Sequence, residues 1–211
     1  MYMEEHLDMT LRDVLQMIQN TVVSTTTYLG VPALKSPTDA WVYDEIIFET
    51  KPDAIVEIGV ASGGHALRLA NFCDTVRKGR VIGVDPRLGA VPTIVRAHPR
   101  LTLIEEDAVV AFEKVAAMIK PEERVLIIED SDHTYANTLA VLRAYCDLVK
   151  VGDYFIVEDS ICWHGLDVGP RPGPYEAVET FVAENNAFVI DRSREKFLIT
   201  WNPKGYLKKV R

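Results

Sequence analysis

The stretch Ala54-Ile55-Val56-Glu57-Ile58-Gly59-Val60-Ala61-Ser62-Gly63-Gly64-His65 decides the fold. Its first half is a short apolar run ending at a glycine, the pattern of a strand buried on both faces. Its second half is a glycine-bearing turn that opens a helix running to about residue 72. Glycine there lets the backbone approach a ligand, and the helix N-terminus offers unpaired N–H groups. Outward from this unit the pattern repeats. Strands are predicted at 80–84, 101–104, 125–128 and 154–157, with helices at 108–119 and 136–148. Strands alternating with helical spacing imply crossover units and a parallel sheet.

Both ends of the chain depart from this alternation. Toward the C-terminus, Phe188-Val189-Ile190 and Phe197-Leu198-Ile199-Thr200-Trp201 flank a short polar link. A link that short permits an antiparallel hairpin and excludes a parallel crossover. The expectation is an α/β fold: a three-layer, Rossmann-like sheet, mostly parallel, closed by an antiparallel C-terminal strand as in class I methyltransferases. Toward the N-terminus, Leu11, Val14, Leu15 and Ile18 lie at helical spacing within 8–19, and Tyr28-Leu29-Gly30-Val31-Pro32 reads as loop. Ser36-Pro37-Thr38-Asp39 is a start signal for a helix through Thr50.

With 211 residues and a formal charge of −8, the chain suits one well-buried domain and lacks the basic face that a nucleic-acid partner requires. The basic runs 77–80 and 208–211 read as solvated surface. Cys73, Cys146 and Cys162 form neither a disulfide framework nor a C-x-x-C pair, no apolar stretch is long enough to span a membrane, and the acidic start does not resemble a signal peptide. A cytoplasmic location is expected.

The chemistry is written at the strand ends. In an open α/β sheet the ligand crevice lies outside the carboxyl ends of the strands. Glu129-Asp130-Ser131-Asp132-His133 follows one predicted strand and Glu158-Asp159 follows another. Both clusters are expected in one crevice, offering hard oxygen ligands to a divalent cation such as Mg2+. Asp130, Glu158 and Asp159 are the expected ligands, with Asp132 as the alternative to Asp130. His133 beside them, with an ordinary pKa of about 6.5, is the candidate general base.

The other end of the crevice suits a nucleotide-like group. Gly59, Ser62, Gly63 and Gly64 form the turn after Glu57, and Asp85 and Asp107 follow the next two strands. A carboxylate at Asp85 can accept both hydrogen bonds of a ribose diol, a feature shared by NAD and S-adenosylmethionine enzymes. Ala61 interrupts the G-x-G-x-x-G order and weakens the nicotinamide reading. Asp107 and Glu158-Asp159 also have a plain alternative as helix caps. The Gly/Pro-rich loop from Ile161 to Pro174 reads as a lid or specificity element, with Trp163, His164 and Tyr175 as acceptor contacts or loop anchors. Trp41 is a candidate to close the cofactor site, or core.

On these residues the chain resembles the cephalosporin hydroxylase / rhamnosyl O-methyltransferase family. The matching stretches are Tyr28 to Pro32, Val56 to Gly64, Asp130-Ser131-Asp132-His133, Val157-Glu158-Asp159, Gly173-Pro174-Tyr175-Glu176-Ala177-Val178 and Arg194-Glu195-Lys196-Phe197-Leu198. The resemblance implies S-adenosylmethionine as donor, Mg2+ assistance and O-methyl transfer to a small-molecule hydroxyl on a sugar or secondary metabolite. It implies that Asp107 reads the adenine, that Asp130 serves both donor and metal, and that the Asp130–His133 spacing pairs a ligand with a base. Residues 1–50 are then a helical segment covering the cofactor site, in the same domain as the catalytic part, 51–211. A methoxylation component of the cephalosporin-hydroxylase type, a nicotinamide oxidoreductase and a noncatalytic binding module are the competing readings. The sequence leaves room for a homo-oligomer.

Overall fold

Among residues 2–211, which the computed structural model describes, helix α1 (Leu11–Thr21) and a small hairpin of β1 (Thr27–Tyr28) and β2 (Val31–Pro32) precede α2 (Pro37–Thr50). Strand and helix then alternate through β3 (Ala54–Ile58), α3 (Gly64–Thr75), β4 (Arg80–Asp85), α4 (Thr93–Arg96), β5 (Leu101–Glu105) and α5 (Phe112–Ala117). Next come β6 (Val125–Glu129), α6 (Tyr135–Tyr145), β7 (Tyr154–Val157), α7 (Pro174–Glu184), β8 (Phe188–Ile190) and β9 (Tyr206–Lys209).

The main sheet has the order β5-β4-β3-β6-β7-β9-β8, with β3 to β7 parallel and β9 antiparallel to both its neighbours. The chain winds outward from β3 to β5 and then restarts on the other side of β3 with β6. That reversal opens a crevice between the carboxyl ends of β3 and β6.

Every residue of β3 and β6 is buried, as the apolar runs 54–56 and 125–128 require, and Glu57 and Glu129 are buried with them. Successive side chains point to opposite faces. Ile55, Val81, Leu126 and Ile156 pack under α2 and α3 with Ile46, Ile47 and Leu69, while Val56, Ile82, Ile127 and Phe155 pack on the other face with Leu142, Val178 and Phe181. The result is the expected three-layer α/β sheet.

Two local expectations are corrected. The segment 28–32 is not a loop but all except the first residue of the β1–β2 hairpin, whose Val31 and Pro32 carbonyls butt against α3. The antiparallel closing strand is not 197–201 but Tyr206–Lys209, so the run Lys208-Lys209 belongs to the sheet rather than to a free solvated tail. The reason is the buried Asp39 on α2. It accepts hydrogen bonds from Trp201 N at 2.7 Å, from Tyr206 OH at 2.8 Å and from Thr200 Oγ1. These bonds draw 199–202 out of any ladder and under α1, where Trp201 packs with Leu15, Val23 and Ile161. Burial raises the Asp39 carboxyl above its ordinary value, and those three donors hold it down in part.

Candidate active site

Gly59 ends β3 at the point where β6 hands over to the acidic run. Its φ is 93°, and a Cβ there would lie 1.9 Å from the Asp130 carbonyl oxygen. Only glycine allows the two strand ends to touch. The Asp130 amide donates to the Ile58 carbonyl at 2.7 Å, and Glu158 N donates to the Glu129 carbonyl at 2.9 Å, so both acidic clusters are fixed by continuation of the parallel ladder. Beneath them Glu129 is fully buried. It accepts from Ser131 N and Oγ through one oxygen and from Thr138 Oγ1 through the other, shaping the turn.

Two cavities meet here, and Gly59, Ala61, Asp130 and Ser131 line both. The first, of about 610 Å³, is also lined by Ser62, Asp85, Asp107, Asp132 and Asn137. Asp85 Oδ2 accepts from the amides of Val60 and Ala61, both at 2.9 Å, and Oδ1 accepts from Arg87 N at 2.8 Å. A carboxylate so held is oriented yet retains lone pairs for a diol. Asp107 Oδ1 caps the following turn through Val109 N and Val110 N, so the cap and a place in the cavity are compatible.

The second cavity, about 410 Å³, has a rim from the N-terminal segment: Gln19, Ser24 and Pro32 through Lys35. Its floor holds Glu57 and His65, joined at 2.7 Å between Oε1 and Nδ1. Burial pushes Glu57 up to about 8 and drives His65 well below its ordinary value, and the positive charge of Lys35 pulls both down.

At the junction, one ligand atom each of Asp130, His133 and Asp159 lies within 4.8 Å of the others. His133 Nε2 is 3.3 Å from Asp159 Oδ2 and 4.0 Å from Asp130 Oδ1. Both His133 and Asp159 adopt left-handed backbone, with φ of 58° and 54°. Such strain in L-residues gathers at functional sites. Burial alone would lower the His133 pKa, but Asp159 and Asp130 raise it on balance. Neutralising those carboxylates restores the base form.

Lys35 completes the centre. Its ammonium, 9% exposed, donates to Asp130 Oδ2 and, at 2.7 Å, to Glu158 Oε2. Burial disfavours its charge, yet the two carboxylates outweigh burial and hold its pKa well above the lysine range. Glu158 is raised by burial and then by Asp130, with Lys35 opposing. Its Oε1 is buried without a partner, as is His133 Nδ1.

Sequence reasoning missed Lys35, because nothing in the primary structure links it to Asp130 across 95 positions. It also missed Asn137, which donates to Ser131 Oγ at 2.6 Å. Glu57, named as a donor contact, faces the second cavity. Gly63 and Gly64 line neither cavity; a Cβ on Gly64 would strike the carbonyls of Val31 and Pro32 at 2.6 and 2.4 Å. Asp132 lines the first cavity, but its Oδ1 accepts from Thr134 N and Oγ1, and it stands outside the cluster of ligand atoms.

Trp163, His164 and Tyr175 reach neither cavity. Trp163 Nε1 donates to the Gly169 carbonyl, and His164 stacks on Tyr175 at 3.6 Å while meeting Glu176 at 3.0 Å. These contacts tie the loop to α7. Trp41 is 61% exposed on the outer face of α2 and closes neither cavity.

Comparison with known proteins converges on one family. Residues 20–210 match the family model described as Rhamnosyl O-methyltransferase/CmcI. The Rhamnosyl O-methyltransferase of Mycobacterium bovis (strain BCG / Pasteur 1173P2) is 35% identical over 195 residues, covering 89% of this chain and 80% of that protein. The Mycobacterium leprae (strain TN) protein of the same name is 35% identical over 196 residues, covering 89% and 85%. A solved structure of CmcI with Mg and SAM superposes with a TM-score of 0.71 at 25% identity, over 89% of this chain and 78% of that one. The O-methyltransferase from Bacillus cereus in complex with SAH shares the fold, with a TM-score of 0.60 at 14% identity, over 99% and 96%. A crevice at the β3–β6 reversal, acidic strand ends around a histidine and a match along nearly the whole chain agree: the protein belongs to the rhamnosyl O-methyltransferase/CmcI family.

Proposed function

We propose that the chain is an S-adenosylmethionine-dependent, Mg2+-assisted O-methyltransferase acting on a hydroxyl of a sugar or secondary metabolite. The observation that carries this reading is the meeting of His133 and Asp159, in the second cavity, with Asp130, which lines both cavities. The first cavity takes the nucleoside of the donor, with Asp85 for the ribose and Asp107 for the adenine. The second takes the acceptor, because its wall adjoins both the first cavity and the acidic centre.

The side chains present fit a hard divalent cation. Asp130 and Asp159 offer carboxylate oxygens, no thiol is part of the cluster, and Glu158, the third expected ligand, stands outside that group of atoms and is joined to Asp130 through Lys35. When bound, such a cation stabilises the acceptor alkoxide. His133 accepts the hydroxyl proton at Nε2, and Asp159 Oδ2, 3.3 Å away, stabilises the imidazolium that results. Gly59, Ala61 and Ser131 line the shared wall along which donor and acceptor align, with Ser62 on the donor side; alignment alone supplies on the order of 7 kcal/mol of the barrier.

Residues 1–50 form one domain with 51–211 and supply the acceptor-side rim. The three cysteines are free and buried, as suits a reducing, cytoplasmic setting. No helix among the described residues is long and apolar enough to cross a membrane.

Calorimetry with S-adenosylhomocysteine and with NAD, joined to methyl transfer over a panel of sugar and polyketide hydroxyls, tests the reading. Tight binding of NAD without binding of S-adenosylhomocysteine would overturn it. His133→Ala should abolish turnover while leaving cofactor affinity within about threefold. Full activity in both that variant and excess EDTA would remove the base and the metal from the mechanism.

A further inference from the structure

Among the described residues, Lys35 joins the N-terminal segment to the acidic centre by a charged side chain. Its ammonium contacts Asp130 and Glu158 together, so it takes up carboxylate lone pairs that a divalent cation at the same centre requires. A lysine engaged by two carboxylates has no free lone pair and is unsuited to act as a base. What it does supply is one positive charge among four buried or half-buried acids, Glu57, Asp130, Glu158 and Asp159. A dication placed beside those oxygens would face that charge at short range in a low-dielectric setting, where like charges repel strongly.

We infer that Lys35 is a built-in counter-cation, displaced from Asp130 and Glu158 when the divalent cation binds, and that its release re-sets the rim of the acceptor cavity. This rests on the metal-assisted reading given above.

The backbone around Lys35 shows how the release is transmitted. Lys35 N donates to Thr26 Oγ1 at 2.9 Å, and Ala33 N donates to the Thr26 carbonyl at 2.9 Å. Leu34 between them is held at a φ of 51°. Pro32, Ala33, Leu34 and Lys35 all line the second cavity. Moving the Lys35 side chain out of the centre therefore acts on the wall that an acceptor meets. Lys35 is a positioning residue in this scheme, setting metal affinity and the shape of the rim.

The test is Mn2+ binding to the full chain without donor or acceptor, followed by calorimetry and by the paramagnetic signal of free Mn2+. Lys35→Met keeps the aliphatic stem and removes the charge; its Mn2+ Kd should fall at least tenfold. Lys35→Arg, which keeps a cation, should stay within threefold of the parent. A purely structural lysine would leave the Met variant equal or weaker in Mn2+ affinity, and that result overturns the inference. Hydrogen exchange on the unaltered protein gives a second measurement that does not depend on the variants folding. Amides 33–35 should exchange faster with saturating Mn2+ than without it, and unchanged protection would also overturn the inference. If Mn2+ fails to bind any form of the protein, the metal-assisted reading falls as well; normal binding that ignores Lys35→Met removes the present inference alone.

Discussion

The two cavities that meet at Asp130 hold their acids in different ways. In the first, Asp85 and Asp107 are tied to backbone amides of neighbouring turns before any ligand arrives. At the second, a lysine from a distant segment balances Asp130 and the neighbouring Glu158, and Glu57 Oε2, His65 Nε2 and His133 Nδ1 of its lining remain without partners. Buried polar groups are ordinarily satisfied, and these three orphans belong to residues that line one cavity. The first cavity has its carboxylates already fixed by the backbone. The second is an electrostatic centre whose balance a ligand completes.

That contrast predicts unequal sensitivity. Asp130→Asn changes the wall shared by both cavities and removes a ligand candidate. Its kcat/KM should fall by about 10³ or more, since a metal's charge stabilisation is worth several kcal/mol; steady-state kinetics showing less than a tenfold loss would break the contrast. Asp85→Ala removes a held carboxylate from the first cavity only. Affinity for S-adenosylhomocysteine should drop by roughly 10- to 100-fold, the worth of hydrogen bonds to a charged group, with Mn2+ affinity unmoved in the same calorimeter.

Smaller effects sharpen the outline. Trp163→Ala cuts a loop anchor remote from both cavities and should change acceptor KM by less than about threefold, the scale of a lost exposed contact. A larger rise in KM would return the 161–174 loop to the acceptor site. As a control outside both regions, Glu123 is lowered from 4.5 to about 2, chiefly by its paired hydrogen bonds with Arg80 and against the opposing effect of burial. A depressed carboxylate stabilises the fold above its unfolded pKa and loses that contribution as pH falls through the folded one. Glu123→Gln should therefore flatten the loss of stability between pH 4.5 and 2 in acid titrations followed by circular dichroism, with activity near neutral pH intact.

Much of the fold is legible in the residues because its signals are local. The runs at 54–58 and 125–129 are apolar apart from Glu57 and Glu129, since those strands are covered on both faces, and the glycine or acidic residues at their ends sit next to them in sequence. The convergence of Asp130, His133 and Asp159 is readable for the same reason: a strand end in this sheet order has one place to go. The terminal strand was misplaced because 197–201 carries strand-like residues whose partners, Asp39 and the underside of α1, are far away in the chain.

The sequence by itself determined a parallel sheet with acidic groups at its carboxyl ends, since burial pattern and strand-to-loop adjacency are properties of neighbouring residues. Tertiary structure alone decided that Gly59 touches Asp130, that Trp163 and Tyr175 stand apart from the chemistry, and that Lys35 enters the acidic centre. Charge balance in a buried site is a non-local property: desolvation forces each carboxylate to find a partner wherever the packed chain brings one, and no spacing rule records which partner that is.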